Sequence, residues 1–242
     1  MIAILMEADS CSNTIVRVNG MSNREFLERY ARAGCIGLSG GVSLIDQAIC
    51  RAERHLDKKQ EWGAWSHAFL FQGKRADGQH WVIESDLQVH HKHIQLGVQE
   101  NRISKYFDEK TYTMLAVLDF HLKETEVEKL LNEGLDLVAN RERYSLRELV
   151  GTLIALRKEG MRGRNNVLAR DRSLYCSALV RHLFGKNGHD LVPGVALKNT
   201  TPEDIARTEI PHVTYWLERE RAKSKLRELR ARIRKRLRSE NR

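Results

Sequence analysis

The stretch AWSHAFLFQGKRADGQHWVIESDL, residues 64–87, consists of two apolar runs on either side of a polar turn. The Asp-Gly dipeptide in the turn is typical of a β-hairpin connection. With the turn centred between Arg75 and Ala76, His67 falls opposite Glu84. Side chains opposite each other on antiparallel strands have Cβ atoms about 4.5–5.5 Å apart. The stretch therefore predicts an antiparallel hairpin that pairs a histidine with a glutamate.

This histidine–glutamate pair has two interpretations. In the first, Glu84 orients the imidazole of His67 and stabilises its protonated form, which is the support that a catalytic base requires. In the second, the pair only satisfies two half-buried polar groups. The prediction depends on the register, because a shift by one residue moves one of the side chains to the other face of the sheet.

A second stretch, RDRSLYCSALVRHLF (residues 170–184), places Cys176 at the start of an apolar helix. Backbone N–H groups at a helix N-terminus stabilise a thiolate, and they also stabilise the oxyanion of a tetrahedral intermediate. The N–H of Cys176 is the predicted oxyanion donor, and the sequence assigns no second one. The alternative is a cysteine that fills the core, because free cysteines are among the most buried residues. A thiol here with a histidine and a glutamate on adjacent strands suits acyl transfer.

The remaining cysteines and the histidine-rich segment give no pattern of a metal site. Cys11, Cys35 and Cys50 form no CxxC pair and no zinc-finger spacing with histidine. Four cysteines in a chain of 242 residues do not predict a disulfide framework. VHHKH, residues 89–93, has no partner cluster, so a solvated loop is favoured over metal binding. We expect no metal and no organic cofactor.

Periodicity and capping residues predict further elements along the chain. Apolar residues at three- and four-residue steps predict a helix over 44–56. A Ser-x-x-Glu capping box predicts another helix that begins at Ser145 and ends at Gly160. Further helices are predicted in NREFLERYARA (23–33), ETEVEKLLNEGLDLVANR (124–141) and TTPEDIAR (200–207), and further strands in GCIGLSGG (34–41) and TYTMLAVLDF (111–120).

The positive charge is concentrated at the C-terminal end. The chain carries a formal net charge of +9, and residues 218–242 hold twelve Lys or Arg against four Glu, so the rest carries only +1. Apolar residues from Ala222 to Leu237 recur at steps of four, three, four and four. A basic helix with this stripe suits a partner helix, an anionic membrane surface or a nucleic-acid backbone. A solvated extension is the alternative, and the lack of aromatic residues after Trp216 disfavours base stacking.

Composition favours a soluble globular chain that we expect in the cytoplasm. No stretch approaches the roughly 20 apolar residues of a membrane span, and the first residues lack the basic start of a secretory signal. Delivery by a specialised secretion system stays open. We divide the chain into a lead-in (1–33), a catalytic domain (34–216) and a basic helical tail (217–242).

The motifs WSHAFLF, WVIESD and YCSALV, in this order, resemble the circularly permuted branch of the NlpC-like papain superfamily. The YiiX/YebB-like cysteine peptidases are the most similar group, and lecithin-retinol acyltransferase-like enzymes share the permuted order. The resemblance covers residues 34–212 and extends to GCIGLSGG, to Tyr144 before a helix and to TTPEDI. One departure is Cys35, which stands where the family usually has an aspartate.

The resemblance implies an α+β fold of the permuted papain-like type, with a small antiparallel sheet packed on the cysteine helix. It implies that Cys176 is the nucleophile, His67 the general base and Glu84 the residue that orients the imidazole. The expected function is a cysteine hydrolase that cleaves an amide or related acyl bond in a peptide, isopeptide or acylated substrate. The alternatives are a thiol acyltransferase and a non-catalytic binding module that acts through its basic tail.

Overall fold

Seven strands form one sheet in the computed structural model, which describes residues 13–42, 44–53, 56, 63–90, 93–140, 162 and 175–218. The strands are β1 (Thr14–Val18), β2 (Ile36–Gly41), β3 (His67–Lys74), β4 (His80–His90), β5 (His93–Arg102), β6 (Tyr112–Asp119) and β7 (Val213–Leu217). Their spatial order is β1-β7-β6-β2-β3-β4-β5. β1 and β7 are parallel, and the other neighbours are antiparallel.

Helices accompany this sheet, so the chain has a mixed α+β fold, as predicted. The expectation of a small antiparallel sheet is wrong, because the sheet has seven strands and one parallel pair. The α-helices are α1 (Asn23–Tyr30), α2 (Leu44–Glu53), α3 (Glu124–Ala139), α4 (Cys176–Lys186) and α5 (Pro202–Ala206), and Ile103–Phe107 and Leu197–Asn199 form 3₁₀ helices. α5 begins with a capping box between Thr201 and Asp204, and Pro202 occupies its first turn, where a missing N–H costs no hydrogen bond.

β3 and β4 form the predicted hairpin, but the predicted register is wrong. Val82 pairs with Phe71 and not with Phe69, because the turn is centred further along the chain than predicted. A bulge between Phe71 and Gly73 offsets part of that shift. The difference amounts to two residues, which leaves every side chain on its original face. His67 and Glu84 therefore lie on the same side of the sheet, although they are not directly opposite.

Both faces of the sheet are buried. One core cluster contains the apolar side chains of α4, including Leu179 and Leu183, together with Leu70 of β3. The other cluster contains Phe69 and, from the 3₁₀ helix, Tyr106. The Phe69 ring lies over Gly37, where a Cβ atom would come within 2.1 Å of a ring carbon. Glycine is therefore required for this close approach between β2 and β3.

Three strands and part of a loop differ from the sequence-based expectations. β1, β5 and β7 were not predicted. The segment 89–93 was expected to be a loop, but Val89 and His90 end β4 and His93 begins β5. The side chains of these three residues are not described, and 91–92 lie outside the described residues.

Several predictions fall on parts of the chain that are not described. The helix predicted from Ser145 to Gly160 lies there, as do Cys11, Tyr144 and residues 219–242 of the basic tail. β1 pairs with β7, and Leu217 is the last residue of β7. The division into three segments remains a prediction. None of the helices in the described ranges has the length and apolar content that a membrane span requires.

Candidate active site

Cys176 and His67 each begin an element of secondary structure. Cys176 is the first residue of α4 and is only 6% exposed. His67 is the first residue of β3, where it pairs with Ser39 of β2, and its side chain is 15% exposed. α4 packs against β3 and β4. This packing brings the thiol and the imidazole together from distant parts of the sequence.

The charge state of His67 depends on its two neighbours. Burial by itself lowers the pKa of His67, but the charge of Cys176 and a hydrogen bond with its sulfur raise it, and Glu84 adds to this effect. The net result is a pKa well above the usual value of about 6.5. Nε2 of the ring lies 2.6 Å from Oε2 of Glu84, which leaves Nδ1 for the thiol. The site therefore favours the protonated form of the His67 imidazole next to the sulfur of Cys176.

Glu84 is fully buried and accepts four hydrogen bonds. Oε2 contacts His67 and also accepts from the Tyr106 hydroxyl at 2.5 Å. Oε1 accepts from Asn101 Nδ2 at 2.7 Å and from Lys105 Nζ at 2.8 Å. A carboxylate has about four lone-pair sites, so this set satisfies it completely. We call Glu84, Asn101, Lys105 and Tyr106 the carboxylate network.

Electrostatics keep the carboxylate network in one protonation state. Burial alone would raise the pKa of Glu84, but the charge of Lys105 and the contacts with His67 lower it well below its usual range. Lys105 also contacts Asp86, and these two carboxylates raise the pKa of Lys105 despite its burial. Burial and the charge of Glu84 raise the pKa of Tyr106, so its hydroxyl stays protonated and donates.

The N-terminus of α4 has no side-chain cap from Tyr175, the residue that precedes it. The first N–H groups of a helix have no partner within the helix, so that of Cys176 is suited to an oxyanion. The hydroxyls of Tyr175 and Ser177 both donate to the carbonyl oxygen of Thr200, at 2.5 and 2.8 Å. These bonds fix the backbone on either side of Cys176.

The structure thus brings the three predicted site residues, Cys176, His67 and Glu84, into one cluster. Two other cysteines differ from Cys176 in their surroundings. Burial raises the pKa of Cys35 to about 12, and burial also raises that of Cys50, so both thiols stay protonated. In the described part of the chain, no group of three or more His, Cys, Asp or Glu side chains is arranged to hold a metal ion.

Sequence reasoning missed three members of the carboxylate network. Asn101 lies in β5, a strand that was not predicted, and Lys105 and Tyr106 lie in the 3₁₀ helix that follows it. A weak signal was present, because Ile103 and Tyr106 are both buried and are three residues apart, which is the repeat of a 3₁₀ helix. Nothing in the sequence relates these residues to Glu84, since their contacts depend on the pairing of β4 with β5.

Comparisons with known proteins add little to this description of the site. No protein-family model matches the sequence, and no relative is found among curated proteins. Among solved structures, the crystal structure of the metalloprotein YiiX from Escherichia coli O157:H7 (DUF1105) is similar, with a TM-score of 0.44 and 14% identity. The alignment covers 67% of this chain and 70% of that one. A likeness of this size leaves fold and function to be argued from the chain itself.

Proposed function

We propose that this protein is a cysteine hydrolase that cleaves an amide or related acyl bond through a thioester intermediate. Cys176 is the nucleophile, His67 the general base and acid, and Glu84 the residue that orients the imidazole. One observation carries the proposal: Cys176 begins a helix beside an imidazole whose other nitrogen lies 2.6 Å from a buried carboxylate. A nucleophile next to a base, with a third group that orients the base, is the triad arrangement of thiol hydrolases.

The site geometry supports a reaction in two steps. The Cys176 thiolate attacks the carbonyl carbon, and the carbonyl π electrons move to the oxygen, which the N–H of Cys176 stabilises. The oxyanion collapses, the bond to the leaving group breaks, and the His67 imidazolium gives its proton to that group. The product of this step is a thioester on Cys176.

In the second step His67, now neutral, takes a proton from water while the water oxygen attacks the thioester carbonyl. Collapse of the second tetrahedral intermediate releases the carboxylic acid and regenerates the thiolate beside the imidazolium. An amine, alcohol or thiol acceptor in place of water gives the acyltransferase alternative with the same residues. We propose a peptide, isopeptide or acylated molecule as the substrate.

The proposed function carries a fold assignment with it. The hairpin that bears His67 and Glu84 precedes the helix that bears Cys176, and α4 packs against that hairpin. This chain order and packing support a circularly permuted papain-like fold for the described residues from Cys35 onwards.

Covalent trapping tests the proposed function without knowledge of the natural substrate. The protein is incubated with p-nitrophenyl acetate, an aryl thioester and a coumarin-labelled peptide amide, and quenched samples are analysed by mass spectrometry. Cleavage after Arg172 and Arg181 gives a peptide, residues 173–181, whose single cysteine is Cys176. We expect an acyl adduct on this peptide.

Two variants complete this test. Cys176→Ala should abolish both the adduct and turnover, whereas Cys35→Ala, which changes a protonated core thiol, should retain them. An unlabelled wild-type protein that turns over none of the three compounds would contradict the proposal and favour a non-catalytic binding module.

A further inference from the structure

Cys176 is the first residue of α4, and His67 is the first residue of β3. The distance between the thiol and the imidazole therefore depends on contacts that fix the start of each element. On the helix side, Tyr175 and Ser177 flank Cys176 and bind the Thr200 carbonyl. The Arg181 guanidinium adds a hydrogen bond of 2.9 Å to the Thr200 hydroxyl. α4 is thereby tied to the segment that leads directly into α5.

On the strand side, the anchor comes from α5. Glu203 is 9% exposed, and its Oε2 accepts a hydrogen bond of 3.0 Å from the backbone N–H of Ala64, three residues before His67. The Ala64 carbonyl in turn lies close to Gly40 of β2, where a Cβ atom would come within 2.4 Å of the oxygen. The backbone of Ala64, three residues before His67, is therefore bound by Glu203 on one side and packed against Gly40 on the other.

The orientation of Glu203 is itself fixed. Its Oε1 accepts from Arg207 Nε at 2.9 Å, and its backbone N–H donates to Oε1 of the fully buried Glu53 at 3.2 Å. Burial, followed by the charge of Glu203, raises the pKa of Glu53, so that carboxyl is protonated at neutral pH.

We infer that Glu203 is a positioning residue that sets the distance between His67 and Cys176. Two connections link the reacting groups through Glu203. Thr200 binds the start of the Cys176 helix and lies three residues before Glu203. Glu203 in turn binds Ala64, which lies three residues before His67. Glu203 touches neither reacting group in these connections and acts through the backbone. The inference rests on the proposed function, because it assigns a role relative to the thiol–imidazole pair.

Alkylation of Cys176 by iodoacetamide measures this role on the full chain. The rate is followed on the peptide 173–181 at about pH 7, where a thiolate paired with an imidazolium reacts faster than an ordinary thiol. Glu203→Ala should lower the rate about ten-fold or more, since small displacements of reacting groups have effects of this size. In a His67→Ala background the same substitution should have little effect, because the imidazole that it displaces is gone.

Two further variants distinguish the effect of side-chain length from the effect of charge. They also keep the test informative if Glu203→Ala does not fold. Glu203→Gln retains an oxygen at the right distance from Ala64 and should stay within about three-fold of the wild-type rate. Glu203→Asp retains the charge but is one methylene shorter, and it should lose reactivity as Glu203→Ala does. Glu126→Ala is the matched control. Glu126 lies in α3, and its side chain accepts a comparable hydrogen bond of 2.9 Å from the backbone N–H of Lys123, the residue before that helix.

The outcomes distinguish the inference from the proposed function. An equal loss of rate for Glu203→Ala in both backgrounds, or a wild-type rate for Glu203→Asp, overturns the positioning role while the triad stands. A wild-type rate that is indifferent to His67→Ala overturns the triad and the positioning role together. A melting temperature that falls for Glu203→Ala without a change in alkylation rate assigns Glu203 a structural role only.

Discussion

The Nε2 atom of His67 lies 2.6 Å from Oε2 of Glu84, although the two residues are not opposite each other in the hairpin. They are diagonal neighbours on one face, at a Cβ separation of roughly 7–8 Å in typical sheets, which only long side chains bridge. The contact therefore requires long side chains at both positions. An aspartate at position 84 would be about one methylene too short.

His67 is expected to control the reactivity of Cys176. Its raised pKa keeps the ring positively charged at neutral pH, and this charge stabilises the neighbouring thiolate. His67→Ala should therefore lower the iodoacetamide rate at Cys176 by about ten-fold or more at about pH 6–7. The difference should shrink at alkaline pH, where any accessible thiol ionises. Equal rates for both proteins across the whole range would identify Cys176 as a structural cysteine.

Glu84→Gln is expected to damage both stability and reactivity. The change removes the negative partner of a buried His67 and Lys105, and breaking a buried ion pair costs about 3–5 kcal/mol. The pKa of His67 should fall, so the alkylation rate at neutral pH should fall with it. Urea unfolding and the alkylation assay measure the two effects.

Asp86→Asn is the control for this substitution. Asp86 also contacts Lys105, but its side chain is 24% exposed, and the Glu84 contact with His67 stays in place. The pair of Lys105 with Asp86 is more exposed than its pair with Glu84, so its loss should cost less, about 1 kcal/mol. If Asp86→Asn proved as harmful as Glu84→Gln, the special role of the Glu84 carboxylate would be wrong.

Glu53 is expected to make stability depend on pH. Burial and the charge of Glu203 raise its pKa well above 4.5, so the folded chain holds a proton that the unfolded chain releases. This contribution to stability is complete below the unfolded pKa and is lost as the pH rises through the folded one. Glu53→Gln has no such proton, so its free energy of unfolding should rise relative to wild type between about pH 5 and pH 8. A constant difference in urea unfolding would argue against a protonated Glu53.

Gly37→Ala is expected to destabilise the sheet and disturb the carboxylate network. The added Cβ would come within 2.1 Å of the Phe69 ring, which stacks on Tyr106 at a centroid distance of 4.2 Å. Overpacking of this kind costs about 1–3 kcal/mol. Gly185→Ala in α4 meets nothing within 4 Å and should instead stabilise by about 0.5–1 kcal/mol. Thermal unfolding of both variants gives the comparison, and a neutral Gly37→Ala would contradict the packing described.

The sequence predicted the hairpin and the cysteine helix because their signals are local. An Asp-Gly turn between apolar runs and an apolar run after Cys176 depend on neighbours within a few residues. The exact register was not predictable, because it depends on where the turn is centred and on the bulge near Gly73, and the sequence determines neither without ambiguity. The face of His67 survived this error only because the shift was an even number of residues.

The rest of the site depends on contacts between distant segments. Lys105 and Tyr106 reach Glu84 because β4 pairs with β5, and Glu203 reaches Ala64 because α5 packs near the start of β3. Neither relation leaves a periodic pattern. Buried ionisable side chains such as Glu53 also look like surface residues in a sequence, since glutamates are almost never fully buried.

The pairing of β1 with β7 has a consequence for biosynthesis. Thr14 pairs with Val213, so among the described strands the earliest to be synthesised has the latest as its neighbour. At about 5–20 residues per second, β1 waits roughly 10–40 s before β7 is synthesised. During this interval the backbone groups of β1 that pair with β7 have no partner strand, while β2 to β6 can already pair with one another. The nascent chain thus passes through an interval in which chaperones or a neighbouring chain compete with β7 for the same backbone groups.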